Sequence, residues 1–127
     1  MIPPRYIEDQ RAWLLPSPEA SGCEVLVAGD SVAPDAVHLA TTKIALRSLV
    51  VLRERAVAHL DEFIDRRKFA AASEWFLEGF ECGLAGHGKG EFTLVFSRDG
   101  DTYGSWSVTF RLSSGQYFPI AFERHQI

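Results

Sequence analysis

Four histidines, two cysteines and a few closely spaced carboxylates are the residues of this chain with the means to do chemistry. His38, His59, His87 and His125 form no HxH or HExxH spacing, so a metal centre has no local ligand pair to grow from. Surface histidine is the simpler reading, and neither a metal nor another cofactor is expected. Asp99-Gly100-Asp101 has the opening of a calcium loop but lacks the further oxygen ligands and the closing Glu, which leaves hairpin-turn chemistry as its explanation. Cys82 has no activating neighbour along the chain, and no serine stands in GxSxG. The run GLAGHGKG, Gly83 to Gly90, follows Lys89 with glycine instead of Ser or Thr and opens no helix, so it reads as a hairpin loop and not a phosphate cradle. Glu78 and Glu81 are an odd number of residues apart and fall on opposite faces of a regular strand; only a bulge at Gly79 brings them together. No catalytic residue is expected.

Binding is better served than catalysis. Tyr103 to Leu112 (YGSWSVTFRL) alternates Trp106, Val108, Phe110 and Leu112 with Ser105, Ser107, Thr109 and Arg111, the period of a strand with one buried and one wet face. Glu91 to Phe96 alternates likewise through Phe92, Leu94 and Phe96, and SRDGDTYG between them supplies turn residues. Asp99, Asp101 and Tyr103 at the hairpin end, with Ser105, Ser107, Thr109 and Arg111 on the wet face, are the candidate binding residues. A merely solvated sheet face is the competing explanation.

Those strands need a partner layer. From Pro34 to Arg67 the chain has no glycine and no further proline. Ala45, Leu49, Leu52, Ala56, Leu60 and Phe63 step by three or four residues along one helical face, widened by Leu46, Val50, Val57 and Ile64. One long amphipathic helix is expected, with a break or bend around Ala40 to Lys43, where Thr41-Thr42 is the weakest helical stretch. Ala12 to Leu15 is a short strand or an apolar plug, and Glu24 to Ala28 is a strand running into Gly29-Asp30. Ser73 to Leu84 reads as an aromatic strand in which Gly79 marks a bulge or a close backbone approach, and Gln116 to Phe122 closes the chain as a strand. Pro119 makes that last strand an edge or a bulged one. The sum is a single α+β domain over residues 1–127 with a proline-rich arm at 1–22. One helix lies on a curled antiparallel sheet of four to five strands, in the cystatin-like order β-α-β-β-β-β.

Composition narrows the partners. At 127 residues, 46% hydrophobic and 12% aromatic, the chain can bury a core. A formal charge of −4, with only Arg66-Arg67-Lys68 as a basic run, disfavours nucleic acid and acidic membranes. No apolar stretch approaches the ~18 residues of a membrane span, and the N-terminus has no signal-like core, so a cytoplasmic protein is expected. Cys23 and Cys82 form no CxxC and read as two small buried hydrophobes; their pairing is left open.

The segments DTYGSWSVTF (Asp101 to Phe110), YFPIAFERHQ (Tyr117 to Gln126) and SEWFLEGFECG (Ser73 to Gly83) together resemble small uncharacterised bacterial proteins. In those proteins an acidic turn leads into Tyr-Gly-x-Trp-x-Val, and a proline-containing strand and an Arg-x-Gln end follow. Proteins of this style also occur as immunity partners in bacterial toxin systems. The resemblance covers about the C-terminal half, carries over no catalytic residue, and implies a bacterial protein that acts by binding.

Two functions remain. The first is a non-enzymatic domain that binds a protein partner, as an immunity protein or by self-association. The second is a small-molecule-binding or enzymatic domain with a pocket between helix and sheet, lined by Trp75, Trp106, Tyr103 and Phe118. Either way Trp106 and Phe110 belong to the core. Replacing either with Ala is expected to cost ~3–5 kcal/mol in urea unfolding, and a loss below ~1 kcal/mol would show the strand register to be wrong.

Overall fold

The computed structural model describes residues 3–17, 22–63, 75–84, 86–98 and 104–126. Seven strands form one sheet in chain order: β1 (Arg5–Ile7), β2 (Ala12–Leu15), β3 (Glu24–Ala28), β4 (Trp75–Cys82), β5 (Glu91–Arg98), β6 (Gly104–Ser113) and β7 (Gln116–Gln126). Two helices, α1 (Ala36–Arg47) and α2 (Leu49–Phe63), connect β3 to β4. That connection makes β3 and β4 parallel, while every other neighbouring pair is antiparallel.

The class α+β stands, but the expected architecture does not. The helical run is broken, the sheet has seven strands instead of four to five, and it is mixed instead of antiparallel, so the cystatin-like order is overturned. The break falls at Ser48, not at Thr41-Thr42. Each threonine hydroxyl donates to the carbonyl four residues back, Thr41 to Val37 at 3.2 Å and Thr42 to His38 at 2.8 Å, so neither interrupts the helix. Both are small enough to be buried against the sheet. Ser48 leaves helical geometry instead (φ −111°, ψ 20°), its N–H donating back to Ala45 and its carbonyl accepting from Leu52. β1 was missed because three residues between prolines and a 3-10 turn at Glu8–Gln10 are too few to show a period.

Each helix is placed by local chemistry. Asp35 caps α1, its carboxylate accepting from the His38 N–H at 3.1 Å, and the Asp35 N–H returns to the Ala28 carbonyl at 2.8 Å, fastening the helix start to the end of β3. Ala45, Leu49, Leu52, Ala56 and Leu60 are buried, as their spacing implies. Val50, which was expected to widen that face, is 73% exposed. Ile64 to Arg67 lie outside the described residues.

Against this stripe the sheet sets aromatic rings. Phe80, Phe92 and Phe110 stack across β4, β5 and β6 with centroids 5.1 and 5.7 Å apart, and Trp75 meets Phe96 and Trp106 edge-on at 6.2 and 5.5 Å. Such contacts add ~0.5–1.5 kcal/mol each beyond the area they bury. The Trp75 indole N–H donates to Asp61 at 3.1 Å and Arg53 donates to the Trp75 carbonyl at 3.0 Å, which ties α2 to the start of β4.

Two irregularities aim the outer face. A bulge between Leu77 and Gly79 shifts the β4 register, so Trp75 and Leu77 point inward before it and Phe80 and Cys82 after it. A second lies between Thr109 and Phe110, opposite Ala121 and Pro119. The β6–β7 turn has positive φ at both Ser114 (52°) and Gly115 (75°), the backbone of a type I′ hairpin. In such a hairpin Ser113 and Gln116 are the bonded pair, so Tyr117 and Pro119 turn their backbone groups to the free edge of β7. The Tyr117 carbonyl there accepts from Arg55 at 3.3 Å, and Pro119 has no N–H to offer. These two positions of the edge are poor templates for a further strand.

Gly90 is the tightest glycine of the outer hairpin: its φ is +79°, and a Cβ would lie 2.8 Å from the Leu112 carbonyl oxygen. Gly90→Ala is expected to cost about 1–3 kcal/mol by urea denaturation. An unchanged midpoint would show that β5 and β6 can separate there without loss.

Candidate functional site

With aromatic side chains facing the helices, period two sends the intervening polar residues to the opposite face. Thr93 and Val95 of β5, Ser105, Ser107 and Thr109 of β6, and Ala121 and Glu123 of β7 line a cleft there of about 420 Å³. Glu81 of β4 and Ile120, the extra residue of the β7 bulge, complete its sides, and the 83–90 loop brings His87 and Glu91 to its end.

The cleft floor is ordered by hydrogen bonds. His87 Nε2 lies 2.7 Å from Thr93 Oγ1, which lies 2.7 Å from Thr109 Oγ1. Burial holds the His87 imidazole below its ordinary pKa, against the opposing pull of Glu91, so the ring favours its neutral form. Its Nδ1 is buried without a hydrogen-bond partner among the described residues. Glu91 accepts from the Gly88 N–H at 2.9 Å and from Arg111 at 3.2 Å; the backbone bond is the larger cause holding its carboxyl below the usual range. Thr93 and Ser107 are only 7% and 8% exposed although they face away from the helices.

Of the residues expected from sequence, Ser105, Ser107 and Thr109 meet in this cleft, and Arg111 stands at its edge, bound to Glu91. Asp99, Asp101 and Tyr103 lie outside the described residues. Sequence reasoning missed Glu81, His87, Glu91, Thr93 and Glu123 as cleft residues. Thr93 and Glu91 were within reach, since the alternation of Phe92, Leu94 and Phe96 already sent their neighbours outward. The β4 bulge does bring Glu78 and Glu81 to one face, but Glu78 accepts from Ser97 at 2.6 Å and does not line the cleft.

The second sequence reading placed a pocket between the layers. Trp75 and Trp106 are buried there against each other, whereas Phe118 is 47% exposed and pairs with Arg111 on the outer face. The buried side chains between the layers, among the described residues, are overwhelmingly aromatic and aliphatic.

One other cluster carries catalytic residue types. Cys82 Sγ lies 3.8 Å from His38 Nδ1, and His38 Nε2 lies 4.0 Å from Asp35. A working thiolate needs a lowered pKa and access to substrate. Cys82 is fully buried, its thiol lies 3.4 Å from the carbonyls of both His38 and Glu91, and burial pushes its pKa up to about 11. This triad is a packing arrangement. Cys23 is likewise a free thiol raised to about 11, first by burial and then by the charges of Glu78 and Glu24.

Among the described residues no cluster of His, Cys, Asp and Glu is placed to hold a metal ion, and no helix is long and apolar enough to cross a membrane. Compared with protein-family models, curated proteins and solved structures, the chain matches none.

Two outcomes follow from these groups. Both cysteines should react with a thiol reagent at pH 7 on the order of a hundredfold more slowly than a free cysteine, and Cys82 only on unfolding; rapid labelling of Cys82 in the folded protein would return it to candidacy as a nucleophile. Because folded His87 takes up its proton less readily than the unfolded chain, which titrates near 6.5, the unfolded state holds more protons as the pH drops below that value. Stability is therefore lost as pH falls through the ordinary histidine range, and His87→Gln should flatten the loss seen in urea unfolding between about pH 7 and 5. Equal slopes for the two proteins would assign the effect to another group.

Proposed function

We propose that this chain is a non-enzymatic binding domain of the bacterial cytoplasm that docks a protein partner on the open face of its sheet, as an immunity partner does. The observation that carries this reading is the cleft opposite the helices, where an ordered floor of hydroxyls lies beside the exposed apolar side chains of Ile120 and Phe118. A polar floor supplies directional bonds and the apolar rim supplies area, the mixture that protein interfaces use. The raised thiol of Cys82 speaks against catalysis by the best-placed nucleophile. Two free thiols suit a reducing compartment. Arg55 on the Tyr117 carbonyl and the missing N–H of Pro119 disfavour a second copy joined strand to strand at that end of β7.

A photo-crosslinking side chain at position 105 or 118 tests the face, with position 54 on the exposed side of α2 as the comparison. Adducts in bacterial cells are expected from 105 and 118 and not from 54. Adducts from position 54 alone would move the interface to the helices and end this reading.

A further inference from the structure

We infer that the Thr109 hydroxyl offers the cleft a hydrogen-bond donor and that the docking protein meets it with a neutral acceptor, an amide carbonyl oxygen; the inference rests on the docking face proposed above. The direction of the chain His87–Thr93–Thr109 is set by its buried end. His87 Nδ1 is buried and has no hydrogen-bond partner among the described residues. A proton there would be an orphaned buried N–H, which folded proteins almost never keep, whereas a bare ring nitrogen leaves only a lone pair unused. The ring, kept neutral by burial, therefore carries its proton on Nε2 and donates it to Thr93 Oγ1 at 2.7 Å. The loop holds the ring in place, since the His87 N–H donates to the Leu84 carbonyl at 3.0 Å and the Glu91 N–H to the Gly88 carbonyl at 3.1 Å.

The hydroxyls then have one consistent order. Thr93 is buried and carries a single hydroxyl proton, and its Oγ1 bonds to His87 and Thr109. Having accepted from His87, it gives that proton to Thr109 Oγ1 at 2.7 Å. Thr109 Oγ1 is thus an acceptor toward Thr93, and its own proton is left for the cleft that the half-buried side chain lines. Hydrogen bonds aligned in one direction polarise one another, so this last O–H is a stronger donor than an isolated threonine.

The surroundings select the kind of acceptor. No lysine or arginine is among the residues lining the cleft, and Arg111 at its edge is bound to Glu91, so an incoming carboxylate or phosphate would meet a neutral hydroxyl without a matching charge. An amide carbonyl needs no counter-charge. Val95, Ile120 and Ala121 border the polar floor and give the carbon atoms beside such a carbonyl an apolar surface. On a protein this group comes from the main chain or from an Asn or Gln side chain.

Two measurements on the full chain test this. Nitrogen-15 spectra of the imidazoles at about pH 8, with His87→Gln to assign the signals, should show the His87 proton on Nε2; a proton on Nδ1 would overturn the donor. Amide resonances are then followed while N-acetylsarcosine dimethylamide, a blocked peptide with carbonyls and no N–H, is titrated in, and separately methylguanidinium, which only donates. The blocked peptide is expected to shift the amides of Thr93 and Thr109. Thr109→Val, which keeps the shape and removes the donor, should weaken it about threefold to tenfold, and Thr109→Ser should restore it. Shifts at those amides from methylguanidinium and not from the blocked peptide would overturn the acceptor, as would an affinity that Thr109→Val leaves unchanged or no shift at all. None of these failures touches the docking face, because the crosslinking comparison judges it without reference to Thr109. Crosslinks from position 54 alone would remove the face and this inference with it.

Discussion

Burial of the aromatic side of β4, β5 and β6 against α1 and α2 is the constraint on which everything else in this protein depends. Phe80, Phe92, Phe96 and Phe110 are each fully buried, and transfer of such a side chain from water is worth about 1.5–3 kcal/mol. A one-residue slip in any of these strands would turn the rings to solvent and draw Thr93, Ser107 and Thr109 into the core. The polar cleft is therefore the obligatory other side of the core, and its floor is as rigid as the packing beneath it.

The bulges convert that general consequence into a particular surface. Without the shift at Leu77 and Gly79, β4 could not present Trp75 to α2 and Phe80 to Phe92 on the same face. The same shift puts Glu78 and Glu81 on the outer side, one tied to Ser97 and the other lining the cleft. On β7 the bulge makes room for Ile120 at the cleft wall and accommodates Pro119, whose missing N–H faces an edge where no ladder bond is needed. Arg55 occupies the neighbouring carbonyl. The turn end of the β7 edge thus offers little to a further strand, while the polar residues of β5, β6 and β7 present the outer face.

Environment also separates two sites whose residue types look alike on paper. Cys82, His38 and Asp35 have the composition of a nucleophilic triad, but the thiol is sealed under α1 beside two carbonyls, and burial disfavours the thiolate. His87, Thr93 and Thr109 have no such pedigree, yet they lie in an open cleft where their spacing orders a floor for a ligand. Residue type decides which reactions are allowed, and burial decides whether a group is presented to a ligand.

The chain by itself determined everything that follows from local periodicity and local chemistry. The strands at Glu24–Ala28 and over 91–96, the helical stripe from Ala45 to Leu60, the edge or bulge at Pro119, an irregularity at Gly79 and the outward set Ser105, Ser107 and Thr109 were legible because side-chain alternation and backbone restriction act within a few residues. Only the tertiary structure decided the rest. The parallel joint of β3 to β4, the addition of β1 and the break at Ser48 depend on which elements meet, and sequence spacing does not encode that meeting. The same holds for the cleft: Glu81, His87 and Glu123 lie up to tens of residues apart in the chain, and they reach one surface because strand pairing, not sequence proximity, places them there.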